Sequence, residues 1–251
     1  MSQITARGQG SPLGLQASGT FQVSTDTSLA TLVGTRWDLS DGRELILVST
    51  PSGTAVAAGS LYQDAAIIAN HQSLTVTAVQ AYSNNGNTPA TVTVTLGGTA
   101  VTANQYQGGF LHVNSSTGVG QTLRIASHPA QATTTGSVVV TLEDGPVTAL
   151  TTASVVSLTP PHGANIIIGS NALTGAAVGV GLYVIAVSSF GFLVAKGLTA
   201  ANTVTTPASI GQAVMAGASG ALIVWTTPNQ MLGYAAYGGT NATATMVFLN
   251  I

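Results

Sequence analysis

Along much of the chain, apolar and polar residues alternate with the two-residue period of a half-buried β-strand. The clearest runs are LTVTAVQAY (Leu74 to Tyr82), ATVTVTL (Ala90 to Leu96) and SVVVTL (Ser137 to Leu142). Turn signals separate them: Asn84-Asn85-Gly86-Asn87, Gly97-Gly98, Gly108-Gly109, Asp144-Gly145-Pro146 and Gly238-Gly239. Glycine permits positive φ there and Asn tolerates it. Helical periodicity is almost absent, and strands this closely spaced leave no room for the crossovers a parallel sheet needs. The expected fold is all-β, with antiparallel sandwich or barrel domains.

Composition divides the chain in three. Residues 1–35 are rich in Gly, Ser and Thr and read as an extended N-terminal arm with little core of its own. Residues 36–155 carry the alternating strands and form a first β-rich domain. Residues 156–251 form a second, with Thr159-Pro160-Pro161 as a linker because neither proline can donate to a ladder. Its apolar runs, NIIIG (Asn165 to Gly169) and ALIVW (Ala221 to Trp225), fit strands buried on both faces. Thr174 to Ala195 is uncharged over a membrane-spanning length, but it is broken by glycines and by Ser188-Ser189 and is rich in β-branched residues. Two buried strands joined at the SSFG turn fit it better than a transmembrane helix.

Charge changes the picture most. Only 5% of the 251 residues are charged, against about 25% in typical soluble proteins. With a net charge of -2 and a mean hydropathy of +0.43, copies repel one another little, so an obligate assembly is expected. Five basic residues scattered over the chain cannot neutralise a phosphate backbone, which argues against nucleic-acid binding. Zero cysteine excludes disulfide and thiolate chemistry. The start, MSQITARGQGSPLGL, lacks the basic region and continuous apolar core of a secretory signal, so synthesis and retention in a cytoplasm are expected.

No constellation for catalysis stands out. His71, His112, His128 and His162 have no paired ligand spacing, and structural roles are expected for them. There is no G-x-S-x-G elbow, and the single acidic pair, Glu143-Asp144, runs straight into Gly145-Pro146 and reads as a turn. GAAVGVG (Gly175 to Gly181) has the wrong spacing for a dinucleotide fingerprint and reads as close strand packing. Trp225, Tyr234 and Tyr237 are read as core or interface residues, with a sugar-stacking platform as the alternative. The chain is therefore read as non-enzymatic, with no cofactor and no metal.

The stretch RWDLSDGRE, Arg36 to Glu44, gathers five charges into nine residues. Asp41-Gly42 between two strand-like segments is a hairpin signal, and Arg36 or Arg43 is expected to pair with Asp38 or Glu44. Two readings stay open: a solvated hairpin tip, or a docking point where arginine forks meet a partner's carboxylates. Asp38, Asp41 and Glu44 lack the ligand spacing of a known calcium loop. Arg7, Arg36, Asp38, Asp41, Arg43 and Glu44 are the candidate anchors of the arm and of docking.

DGREL followed by ILVSTPSGTAVAAGSLYQ, then Asn104-Gln105-Tyr106-Gln107-Gly108-Gly109, Gly118-Val119-Gly120-Gln121 and SVVVTLEDGPVTAL resemble the tailed-phage virion proteins that decorate the capsid, often called cement proteins. The resemblance covers about residues 41 to 155 and is looser beyond 156. It implies a β-rich protein without catalytic residues that binds the major capsid protein lattice from outside. It also implies homotrimers near local threefold positions, with arms reaching neighbouring subunits and no membrane. The expected location is the virion exterior after synthesis in the host cytoplasm. The rival reading is a receptor- or glycan-binding β-module of a phage tail or fibre.

Overall fold

The structure is a computed structural model, and it describes residues 23–81, 89–203, 208–227, 229–237 and 244–251. The turn signals at residues 84–87 and 238–239, and Arg7, lie outside the described residues. The described chain is nearly all β, with antiparallel sheets throughout. It forms two compact units: residues 1–66 with 162–251, and residues 67–161.

The first unit holds β1 (Arg36–Asp38), β2 (Glu44–Ser49) and β3 (Leu61–Gln63). The second holds β4 (Leu74–Gln80), β5 (Thr91–Thr95), β6 (Phe110–Ser115), β7 (Thr122–Ser127), β8 (Ser137–Leu142) and β9 (Val155–Thr159). The chain then returns to the first unit with β10 (Ile167–Ile168), β11 (Ala177–Gly181), β12 (Phe190–Asn202), β13 (Ala213–Ala216), β14 (Leu222–Val224), β15 (Gly233–Ala235) and β16 (Ala244–Asn250).

This grouping differs from boundaries at 35/36 and 155/156. β1 to β3, read from the sequence as the start of the first domain, join the C-terminal strands because β2 pairs with β12, and β3 with β10 and β11. Alternation identifies a strand but carries no information about a partner more than a hundred residues away. Thr159-Pro160-Pro161 does fall at the second crossing between the units.

The middle unit is a closed barrel in the order β4-β5-β8-β7-β6-β9, sealed where Leu74 and Thr75 face Val156 and Val155. Its alternation is the one read from the sequence: Val92, Val94, Val138, Val140, Leu111, Ile125, Val156 and Leu158 point inward and are buried. Each such side chain contributes about 1.5–3 kcal/mol through removal from water. Closure leaves no free sheet edge to pair with another chain.

The other unit is a ten-stranded sheet in the order β10-β3-β11-β12-β16-β15-β13-β14, with β2 and β1 branching from β12. β12 explains the branch. Its first half, where β2 and β11 flank it, is buried on both faces, with Phe192 and Val194 in one cluster and Leu193 and Ala195 in another. Its second half pairs with β16 and alternates, because one face meets solvent. Thr174 to Ala195 is thus two strands, β11 and the start of β12, in antiparallel register through Val180↔Val194, with Ser188 at φ 51° in the connection. No described helix is long and apolar enough to cross a membrane.

Residues 23–35, the described part of the segment read as an arm, pack on the sheet unit. Asp26 caps a 3-10 helix at Thr27–Leu32 by accepting a hydrogen bond from the Ser28 amide, Leu29 is buried in the core of the sheet unit, and Val33 is buried too. Ser24 bridges Phe190 through both of its backbone groups. Two apolar side chains and one bridge suffice to dock a segment whose polar composition hid them. NIIIG also differs: Ile166 is buried, but β10 is only two residues long and Ile168 is 42% exposed.

Candidate functional site

The charged hairpin forms as its turn chemistry dictates. β1 and β2 pair through Trp37↔Leu45 and Asp38↔Glu44, and Gly42 takes φ 83°. Trp37 turns inward and packs edge-on against Phe192, ring centroids 5.2 Å apart, so the hairpin is pinned to the core by one aromatic pair. Arg36 pairs with Glu44, as expected for facing strands, and also donates to the backbone carbonyl of Ile251 at 3.2 Å. Arg43 turns back onto Asp41 at 2.7 Å instead of crossing to the other strand. The Arg43 hydrogen bond holds the Asp41 carboxyl below its usual pKa range. Each guanidinium thus has a carboxylate partner within the hairpin, and Arg36 reaches the chain's last residue as well. Asp38 faces Glu44 directly, and on the other side of Glu44 lies Lys196 of β12. The result is a row of charges of both signs across three strands.

Two of the four histidines converge, which their spacing does not reveal. Inside the barrel the Tyr106 ring lies between His71 and His128, with centroid distances of 5.6 and 5.8 Å. His71 Nε2 meets the Thr99 carbonyl at 2.9 Å, so it carries the proton, and Nδ1 accepts from the Tyr106 hydroxyl at 2.5 Å. His128 Nε2 accepts from the Tyr106 amide at 3.0 Å, leaving Nδ1–H to donate to the Pro129 carbonyl. Burial lowers the His128 pKa and raises that of Tyr106 to about 12. This hydrogen-bonded network ties three loops to the barrel. His162 has a comparable role, donating through Nδ1 to Asp64 at 2.7 Å while Asp64 also accepts from the Gly163 amide. Among the described residues no three potential ligands gather to hold a metal ion.

The features that the sequence reading missed are apolar and face outward. In the barrel unit, Val119 is 63% exposed and Val147 is 98% exposed. Their loops are joined by Gln121, whose amide donates to the Thr148 carbonyl at 2.9 Å and accepts from the Thr148 amide at 3.0 Å. Gly118-Val119-Gly120-Gln121 is thus a clamp with a valine at its tip. In the sheet unit, Leu198, Phe248 and Tyr234 lie opposite one another on β12, β16 and β15, between 40% and 49% exposed. Tyr234 and Tyr237 are surface residues and not core, while Trp225 is half-buried with its indole N–H bound to the Asn229 carbonyl. Burial alternates along Lys196 to Asn202 and Ala244 to Asn250 and puts Leu198 and Phe248 on the face opposite Val247 and Leu249, but MVFL is a continuous apolar run and Thr199 is buried beside exposed Leu198, so the sequence pattern does not mark this face.

No protein-family model, curated protein or solved structure matches this chain.

Proposed function

We propose that this protein is a structural component of a phage particle, a decoration or cement protein that binds the outer surface of the assembled capsid and stabilises its lattice. The observation that carries the reading is the set of large apolar side chains turned outward in both units of a chain with only 5% charged residues. Such a surface is stable in water only at some cost and is favoured when a protein partner covers it. The resemblance of residues 41–155 to decoration proteins supports the same conclusion.

The proposed docking element is the barrel-unit loop pair bearing Val119 and Val147, held rigid by Gln121, so that little order has to be gained on contact. Stabilisation follows from mass action: a ligand that binds the closed lattice better than its free subunits shifts the equilibrium toward the lattice. Several weak contacts suffice when an oligomer, a trimer by the resemblance, engages several shell subunits together. No enzymatic step or cofactor is part of this role. Of the segment read as an arm, residues 1–35, the part up to residue 22 with Arg7 is proposed to reach a neighbouring subunit.

A second reading, a glycan-binding module of a tail or fibre, draws on a groove of about 380 Å³ in the sheet unit lined by the uncharged amides Asn171, Asn229 and Gln230. The experiment that separates the two is reconstitution. Particles stripped of the protein are incubated with the purified chain, then assayed for saturable binding and for the temperature at which they release DNA. Saturable binding with a raised release temperature is expected. Absence of binding, together with measurable sugar affinity, overturns the decoration reading.

A further inference from the structure

The outer face of β12, β16 and β15 has an order that goes beyond shell binding. Register stacks its outward residues in rows: Lys196 beside Asn250, then Leu198, Phe248 and Tyr234, then Ala200 beside Met246. The opposite side of the same strands, with Ala201, Val247, Leu249 and Ala235, is already buried in the core of the unit. The outward face is therefore a second apolar surface on a sheet that has already satisfied its first. Cross-strand neighbours of this kind stand about 4.5–5.5 Å apart, so Leu198, Phe248 and Tyr234 form one continuous ridge.

At one end the ridge meets the charged row. Lys196 sits directly opposite Glu44, which sits directly opposite Asp38, with Arg36 paired to Glu44. Two positive and two negative groups border the apolar face, so this edge is neutral as a whole but polarised along its length. A strongly acidic or basic partner gains nothing from such an edge. A second copy of the same edge, turned through a twofold axis, can set Lys196 against the carboxylates of its partner at two symmetric points. The net charge of -2 on the whole chain opposes that approach little.

Area argues that the charged row takes part. Seven residues of strand across the three strands β12, β16 and β15 cover at most about 24 Å by 14 Å, a projected area under half of the ~800 Å² per partner of a standard interface. The apolar ridge alone is too small, and the hairpin edge is the surface continuous with it. We propose that a second copy of this chain packs on this face, with Leu198, Phe248 and Tyr234 at the centre and Lys196 and Glu44 at the rim. The contact closes on itself, so it produces pairs: dimers of single chains, or pairs of any larger ring.

The test uses the full chain in solution without particles, so its result is independent of shell binding. Light scattering after size separation, over a hundredfold range of concentration, is expected to give an even-numbered assembly. Phe248→Asp is expected to halve its mass while far-ultraviolet circular dichroism stays unchanged. Lys196→Glu and Glu44→Lys, each alone, are expected to weaken the association at least tenfold. Mixing these two variants is expected to restore it, because each mutated side chain then meets its opposite on the other copy. A monomer at every concentration overturns the proposal, as does an oligomer whose mass none of these variants changes. If Phe248→Asp instead abolishes particle binding by a chain that is always monomeric, the shell and not a second copy covers this face.

Discussion

Tyr106 donates its hydroxyl hydrogen to Nδ1 of His71 at 2.5 Å in the interior of the barrel, where His71 has no solvent exposure. Tyr106→Phe keeps the ring and its volume but leaves a buried ring nitrogen without a partner. The expected loss of stability is about 1–3 kcal/mol, the range for an unsatisfied buried polar group. Chemical denaturation of the full chain checks it, and an unchanged midpoint contradicts the network as described.

Acid is expected to weaken the barrel at mildly low pH. Burial lowers the folded pKa of His128 below its ordinary 6.5, and a proton on Nε2 would displace the bond from the Tyr106 amide. The unfolded chain then binds more protons than the folded one below 6.5, so stability falls as pH drops through that value toward the lowered folded pKa. Above 6.5 the group adds no pH dependence. Melting temperatures between pH 7.5 and 5 are expected to decline, and His128→Gln is expected to flatten the decline.

Gly179 in β11 illustrates close strand packing. A Cβ added there lies 2.6 Å from the Val194 carbonyl oxygen and 3.0 Å from Leu193 Cβ. Gly179→Ala is expected to cost about 1–3 kcal/mol through overpacking. Gly53→Ala, where nothing lies within 4 Å, is expected to stay within about 0.5 kcal/mol of the parent. Equal effects at the two sites contradict the packing described.

The two possible ends of the arm predict different truncations. Removing residues 1–22 is expected to leave the melting temperature of the chain within a few degrees while weakening particle binding. Removing residues 1–35 also strips Leu29 and Val33 from the sheet unit, at an expected cost of about 3–6 kcal/mol for the two side chains together. Particle binding of the shorter truncation equal to that of the full chain contradicts the arm.

Local physics was legible in the sequence and distant pairing was not. Asp41-Gly42 announced its hairpin because the turn residues carry their own φ preference, and β4, β5 and β8 announced themselves by alternation. Arg36 and Glu44 could be paired once the hairpin was drawn. The insertion of the barrel unit between β3 and β10 could not be read, because β2 meets β12 across about 140 residues with no local mark of the choice. For the same reason the spacing of His71 and His128 hid their meeting around Tyr106, and the ridge of Leu198, Phe248 and Tyr234 emerged only with the register of three strands. Arg43 was a docking candidate by its charge alone, whereas its bond to Asp41 depends on the turn's conformation.

The central claim is that this chain is part of a particle's outer lattice. It is tested most directly by counting copies of the chain in purified virus particles, by quantitative mass spectrometry against the main shell protein. A number on the scale of the shell protein is predicted. A handful of copies per particle, or none, contradicts the claim.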